Sequence, residues 1–176
     1  MRIIGGKLRG KKICPPQGYK ARPTTDFAKE GLFNVLNNEY ELEGLKVLDL
    51  FGGTGAISFE FASRGAERVY CVEMAPANAN FIKSTAVSFG LDNLTVVRHN
   101  VFDFLPICHE KFDLVFADPP YALDDLATIP DKVFARDILH PGAYFILEHP
   151  QEYVFSSHPR FVKEKKYGNV HFSFFE

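Results

Sequence analysis

Residues 46–64 constrain the fold more than any other stretch of the chain. Val47-Leu48-Asp49-Leu50-Phe51 is a largely apolar strand run, and Gly52-Gly53-Thr54-Gly55 breaks it. Ile57, Phe61 and Ala62 then recur at helical spacing over 56–64. A strand that feeds a helix through a glycine loop belongs in a sheet with crossover helices on its faces. The same alternation continues along the chain. Strands are predicted at 68–72, 94–97, 112–117 and 142–147. Between them helices are predicted from Pro76, a favoured first helical residue, to Gly90, then over 101–105 and 124–136. Such an order implies a parallel sheet wound with right-handed crossovers. The end of the chain departs from it: 161–167, Gly168-Asn169 and 170–175 read as an antiparallel hairpin with a two-residue turn. The expected fold is therefore α/β, one three-layer αβα domain over 1–176, mostly parallel with an antiparallel C-terminal hairpin.

The first 45 residues precede this pattern. Short apolar and basic runs flank Gly5-Gly6-Lys7, and Gly-Gly is a hairpin signal, so residues 1–20 are expected to form a basic β-hairpin. A helix is expected from Thr25 or Asp26, both good N-caps, to about Asn37-Asn38, with Ala28, Leu32, Val35 and Leu36 on its apolar face. Gly31 inside it costs roughly 1 kcal/mol against alanine, and close approach of another backbone would account for it.

Composition narrows the class. A hydrophobic content of 46% with 24% charged residues fits an ordinary globule with a real core. No apolar run approaches the roughly 18 residues of a membrane span, and Met1–Gly6 lacks the apolar centre of a signal peptide. Cys14, Cys71 and Cys108 are odd in number and far apart, which suggests neither a disulfide framework nor a zinc cluster. The histidines, His99, His109 and His149 among them, show no metal-ligand spacing, so no metal is expected. These features point to a cytoplasmic protein with free thiols. Residues 1–25 hold seven cations and no acid, while the whole chain has a net charge of −2. Arg160, Lys163, Lys165 and Lys166 form a second basic group. That asymmetry suggests contact with a polyanion, or else a solvated basic arm.

Two strand ends carry the chemistry. The glycine loop joins the strand ending at Phe51 to a helix N-terminus, where free N–H groups and close backbone approach are available. Glu73 ends the next strand, 18 residues after Gly55, and an acid there can accept both hydroxyls of a ribose. A nicotinamide dinucleotide and S-adenosylmethionine both fit this outline. The dinucleotide fingerprint fails at Ser58, where its last glycine should stand. Asp49 is a poor neighbour for a pyrophosphate and a good one for an ammonium group, which favours S-adenosylmethionine. Asn100, after the third strand, can hydrogen-bond an adenine edge or cap the helix that follows. Phe51 and Met74 flank these positions and are assigned to the same site. At the end of the 112–117 strand stands Asp118-Pro119-Pro120-Tyr121. It puts a carboxylate, a rigid carbonyl and an aromatic ring where open α/β sheets bind ligands. The set suits a planar group bearing an N–H, although a stiff strand end with a core tyrosine has the same spelling.

Taken together, Asp49-Leu50-Phe51-Gly52-Gly53-Thr54-Gly55, Glu73 and Asp118-Pro119-Pro120-Tyr121 resemble the motifs of Rossmann-like amino-methyltransferases. Arg2-Ile3-Ile4-Gly5-Gly6-Lys7-Leu8-Arg9-Gly10, Arg22-Pro23-Thr24-Thr25-Asp26, Glu30-Gly31-Leu32-Phe33-Asn34 and the tail Tyr167-Gly168-Asn169 narrow the resemblance. They are similar to the bacterial family of RsmD type, which methylates the N2 amine of a guanine in 16S ribosomal RNA. The resemblance covers essentially the whole chain. It departs from the family where Gly52-Gly53-Thr54-Gly55 replaces Ala-Gly-Ser-Gly, where Asn100 replaces an acid, and where Lys29 replaces an arginine.

The resemblance implies a Rossmann-like methyltransferase sheet with S-adenosylmethionine as cofactor and 16S ribosomal RNA as partner, within a small-subunit particle or assembly intermediate. A monomer is the default expectation. Asp118, Pro119, Pro120 and Tyr121 would hold the acceptor amine, Asp118 also bordering the cofactor. Asp49, Phe51, Gly52, Gly53, Thr54, Gly55, Glu73, Met74 and Asn100 would hold the cofactor. Arg2, Lys7, Arg9 and Lys11, with Arg22, Thr24 and Thr25, would contact RNA. The acid-Pro-Pro-aromatic motif is shared with DNA adenine and protein glutamine methyltransferases, so another amino-group substrate stays open. So does a non-catalytic RNA-binding assembly factor.

Overall fold

The computed structural model describes residues 1–19 and 24–176. Seven strands form one sheet: β1 (Lys46–Leu50), β2 (Arg68–Val72), β3 (Leu94–Val97), β4 (Phe112–Ala117), β5 (Leu139–His149), β6 (Phe161–Tyr167) and β7 (Val170–Phe175). Their spatial order is β3-β2-β1-β4-β5-β7-β6. The first five are parallel, and β7 and β6 pair antiparallel at one edge. The chain therefore winds outward from β1 to β3, then returns to β4 on the other side of β1. That reversal is the topological switch point, where strand ends open a crevice.

Helices α1 (Asp26–Glu39), α2 (Ala56–Ser63) and α3 (Pro76–Ser88) pack on one face. The short helices α4 (Val101–Phe104) and α5 (Ile129–Phe134) pack on the other. Two apolar layers separate the sheet from its helices. Ile57, Phe59, Phe61 and Phe116 lie in one, and Leu48, Val115, Ile129 and Phe145 in the other. The β1 and β4 runs are apolar on both sides because both of their faces are covered. Where 124–136 was expected to be one helix, a 3-10 turn at Leu126–Thr128 leads into the shorter α5. Pro130 sits in the first turn of α5, where its missing N–H does no harm.

Thr25 caps α1, its hydroxyl accepting from the Ala28 N–H at 3.2 Å. A Cβ at Gly31 would run into the Tyr167 ring on β6. The glycine that weakens α1 locally is thus what lets the C-terminal hairpin close on it.

The N-terminal segment pairs as expected but turns differently. Arg2 and Lys12 form one antiparallel bridge, and Ile3 N–H donates to Lys11 O at 2.9 Å. A 3-10 turn at Gly6–Leu8 joins them in place of a two-residue Gly5-Gly6 turn. Gly6 has φ +72°, and a Cβ there would strike the Ser63 carbonyl at the end of α2. The glycines serve docking as well as reversal. Ser63 Oγ donates to Gly5 O at 2.7 Å and accepts from Leu8 N–H at 2.9 Å. Ile3 and Ile13 are buried, and so is an ion pair beneath them, Lys29 Nζ to Glu60 Oε2 at 3.4 Å. Lys29 also donates to Arg2 O, and Glu60 Oε2 accepts from Ile4 N–H at 3.0 Å. Removing one member of such a pair costs about 3–5 kcal/mol, because the other is left buried and uncompensated.

Candidate functional site

A cavity of about 600 Å³ opens at the switch point, over the carboxyl ends of β1, β2, β4 and β5. Asp49, Phe51, Gly52, Gly53, Thr54, Glu73, Met74 and Asn100 line one half. Thr24, Asp118, Pro119, Pro120, Tyr121 and Glu148 line the other.

In the first half the backbone does the positioning. Gly52 N–H donates to Val72 O at 2.8 Å, tying the glycine loop to β2. Glu73 takes Gly53 N–H on Oε2 at 2.8 Å and Ala75 N–H on Oε1 at 2.7 Å. Its carboxylate is fixed in place while each oxygen keeps a second lone pair for a hydroxyl. Asp49 is buried with Ser58 Oγ donating to it, and burial pushes its carboxyl up to about 7. The Ser58 bond opposes that rise and the Glu73 charge adds to it. A buried acid poised in this way suits a cationic ligand group. Gly55 caps α2 beneath the loop and does not line the cavity. Phe51 has φ +64°, a left-handed conformation rare outside glycine, and its ring meets Phe102 edge-on at 6.1 Å. Asn100 caps α4, its Oδ1 accepting from Phe102 N–H at 2.8 Å, while its Nδ2 lies 3.5 Å from Met74 Sδ at the cavity rim. Capping is therefore real at this residue, and its amide still faces the cavity.

The second half is built from side chains of distant segments. Asp118 follows the last residue of β4, and its N–H reaches Leu50 O at 3.4 Å. Asp118 is half-buried and lines the cavity. Burial, then the charges of Glu148 and Asp49, raise its proton affinity well above the ordinary carboxylate range, opposed by a hydrogen bond from Thr24. Tyr121 is partly exposed, with its hydroxyl donating to Glu148 Oε1 at 3.2 Å. Thr24 Oγ1 donates to Glu148 Oε2 at 3.3 Å. Thr24 and Thr25, assigned from sequence to RNA, thus line this cavity.

The basic residues lie elsewhere. Lys7 and Arg9 are exposed on the turn docked at the C-terminal end of α2, whereas the cavity lies at its N-terminal end. Eight helical residues separate the two by about 12 Å. Arg2 pairs with Asp26 at 3.1 Å, and Lys11 lies 5.2 Å from the centre of the Phe89 ring. Arg22 falls outside the described residues. In the second basic group, Lys163 pairs with Glu39 and Lys166 with Glu164 at 3.3 Å. The arm also touches the glycine loop, through Tyr19 hydroxyl to Gly53 O and Thr54 Oγ1 to Met1 Sδ at 3.4 Å.

Glu148 and Asn169 are cavity residues that the sequence reading passed over. Glu148 had a visible signal, since it closes an apolar strand run as Glu73 and Asp118 do. Asn169 was marked only as part of the tail motif Tyr167-Gly168-Asn169, with no site role, because its hairpin turn reaches the cavity only through tertiary packing. His149, Glu164 and His171 also come together unannounced, with one ligand-capable atom each within 4.8 Å of the others. Each is engaged internally. His149 Nε2 lies 2.7 Å from Ser173 Oγ, and His171 Nδ1 lies 2.8 Å from Glu164 Oε1. They strap β5, β6 and β7 together. Among the described residues no helix is long and apolar enough to cross a membrane.

The chain matches the family described as Conserved hypothetical protein 95 over residues 1–176. It is 30% identical to Ribosomal RNA small subunit methyltransferase D of Haemophilus influenzae, covering 100% of this chain and 93% of that one. It is 27% identical to the protein of the same name from Buchnera aphidicola, over 99% of this chain and 91% of the relative. A solved structure, a hypothetical protein of Thermus thermophilus, superposes with a TM-score of 0.89 at 31% identity, covering 100% of this chain and 99% of that one. The strand order, the cavity at the switch point and these similarities agree: the chain belongs to the Conserved hypothetical protein 95 family, that of the RsmD-type methyltransferases.

Proposed function

We propose that this protein is a ribosomal RNA methyltransferase that transfers a methyl group from S-adenosylmethionine to the exocyclic N2 amine of a guanine in 16S ribosomal RNA. The observation that carries this reading is the single cavity shared by the Asp118–Tyr121 turn and by the glycine loop with Glu73. S-adenosylmethionine, when bound, supplies a methyl already activated by its sulfonium charge. The donor half fits it: Asp49 faces the ammonium, Glu73 the ribose hydroxyls, and Asn100 and Met74 the adenine end.

The acceptor half works on a weak nucleophile, since the guanine amine delocalises its lone pair into the ring. Asp118 and the Pro119 carbonyl accept its two N–H bonds, which turns the nitrogen lone pair toward the methyl. Both hydrogen bonds strengthen as positive charge develops on nitrogen. The raised proton affinity of Asp118 suits it to take the departing proton. Tyr121 stacks on the base, a contact worth about 1–3 kcal/mol in single-strand binding. The base reaches such a pocket only unpaired or flipped out. The basic arm, running away from the cavity along α2, holds the RNA backbone and contributes affinity more than sequence choice. A cytoplasmic monomer acting on a small-subunit particle or intermediate accords with this reading.

The test is tritiated methyl transfer to under-methylated 16S RNA, free and in small-subunit particles, beside DNA. Label recovered as N2-methylguanine is expected. Label in adenine, or in DNA alone, would sink the proposal. Binding of 16S RNA without any transfer would favour the assembly-factor reading.

A further inference from the structure

The proposed chemistry uses one of two acids at the acceptor end. β4 and β5 are parallel neighbours with Ala117 opposite Leu147, so Asp118 and Glu148 are the next residues at equivalent places on adjacent strands. Their backbones are about 4.8 Å apart. Both line the cavity, and Glu148 is 4% exposed. The Tyr121 hydroxyl donates to one Glu148 oxygen, and the Thr24 hydroxyl, whose one hydrogen is shared between the two acids, reaches the other. Burial and the nearness of Glu148 raise the proton affinity of Asp118, and N–H donors placed opposite the pair favour its ionised form; ionised, the two carboxyls make a surface that only accepts hydrogen bonds. The matching ligand edge presents two neighbouring N–H donors.

Among the nucleic-acid bases guanine has that edge, with N1–H beside the N2 amine. In adenine and cytosine the amine lies beside a bare ring nitrogen, an acceptor that would face a carboxylate. We propose that Glu148 accepts the N1–H of the target guanine while Asp118 and the Pro119 carbonyl hold its amine, making Glu148 the residue that selects guanine. This deepens the proposed function and rests on it. Tyr121 then has two tasks, stacking through its ring and orienting Glu148 through its hydroxyl. Rejection comes from an acceptor left facing an acceptor in a buried site, the arrangement that discriminates most strongly.

The test uses the methylated nucleotide, once mapped by mass spectrometry, in a synthetic RNA carrying guanosine or 2-aminopurine riboside there. 2-Aminopurine keeps the amine and replaces N1–H with an acceptor. Wild-type protein is expected to favour guanosine by about 100-fold or more in kcat/KM. Glu148→Gln offers both a donor and an acceptor, so it should narrow the preference below about tenfold, with S-adenosylmethionine affinity unchanged by calorimetry. An equal wild-type rate on the two RNAs overturns the inference without reference to any variant. So does an unchanged preference in Glu148→Gln. Failure of wild-type protein to methylate any guanine amine overturns the proposed function instead, and the inference with it.

Discussion

The two halves of the cavity are built on different principles. In the donor half the main chain makes the site: Gly52 and Gly53 N–H groups are tied to β2 and Glu73 within one continuous strand-loop-helix-strand unit. In the acceptor half side chains make it, with Thr24, Asp118, Tyr121, Glu148 and Asn169 arriving from segments up to 145 residues apart. A local unit survives changes elsewhere in the fold. An assembled one depends on every contact that brings its parts together. The halves are therefore expected to fail separately and for different reasons.

The sharpest separation is Asp118→Ala. Methyl transfer is expected to fall by about 1,000-fold, while calorimetry shows S-adenosylmethionine affinity within twofold of wild type. A matching loss of affinity would merge the two halves. Glu73→Ala is the converse. It should weaken cofactor binding by about 10–100-fold, the worth of hydrogen bonds to a charged group, with turnover at saturating cofactor largely kept.

The third prediction uses pH. The Asp49 carboxyl is pushed up to about 7, and an ammonium binds its ionised form. Affinity should therefore rise about tenfold from pH 6 to pH 8, with proton release detected by calorimetry in two buffers. Without ligand the sign reverses for the fold. The native state holds a proton that the unfolded state has lost between the ordinary carboxylate range and about 7, so stability falls across that window as pH rises. A flat affinity profile would remove Asp49 from the ammonium site.

The smallest effect probes the assembly of the acceptor half. Gly31→Ala gains roughly 1 kcal/mol of helix propensity but drives a Cβ into Tyr167, just before the turn that brings Asn169 to the cavity. Net destabilisation of about 1–3 kcal/mol is expected by urea unfolding, with transfer impaired more than cofactor binding. In a Tyr167→Ala background the same change should be neutral or stabilising.

The same contrast explains what could be read before the fold was seen. Asp49, Gly52–Gly55 and Glu73 belong to one continuous unit whose spacing carries its geometry, so strand ends and cofactor residues were visible together. Asp118 was visible because two prolines punctuate its strand. Glu148 carries the same mark, an acid closing an apolar run, but β5 continues to His149 and its proline, Pro150, comes only after that further strand residue. Gly31 and Lys29 looked like local oddities. Each answers to a residue far along the chain, Tyr167 and Glu60, and no local pattern encodes such partners. In the N-terminal segment the pairing was legible and the turn was not. Gly-Gly reports a need for conformational freedom, and docking against the end of α2 needs it as much as a hairpin does.

Phe51 shows what selection for stability alone would do to this chain. A non-glycine residue in the left-handed region costs on the order of 1–3 kcal/mol, and a search that rewarded only folding would offer glycine there. The ring it would discard is part of the cavity wall. Stabilised variants drawn from such a search would thus lose the site at its hinge between strand and loop while the fold improved around it. Position 51 is where tolerance to heat and fitness for purpose pull the sequence in opposite directions.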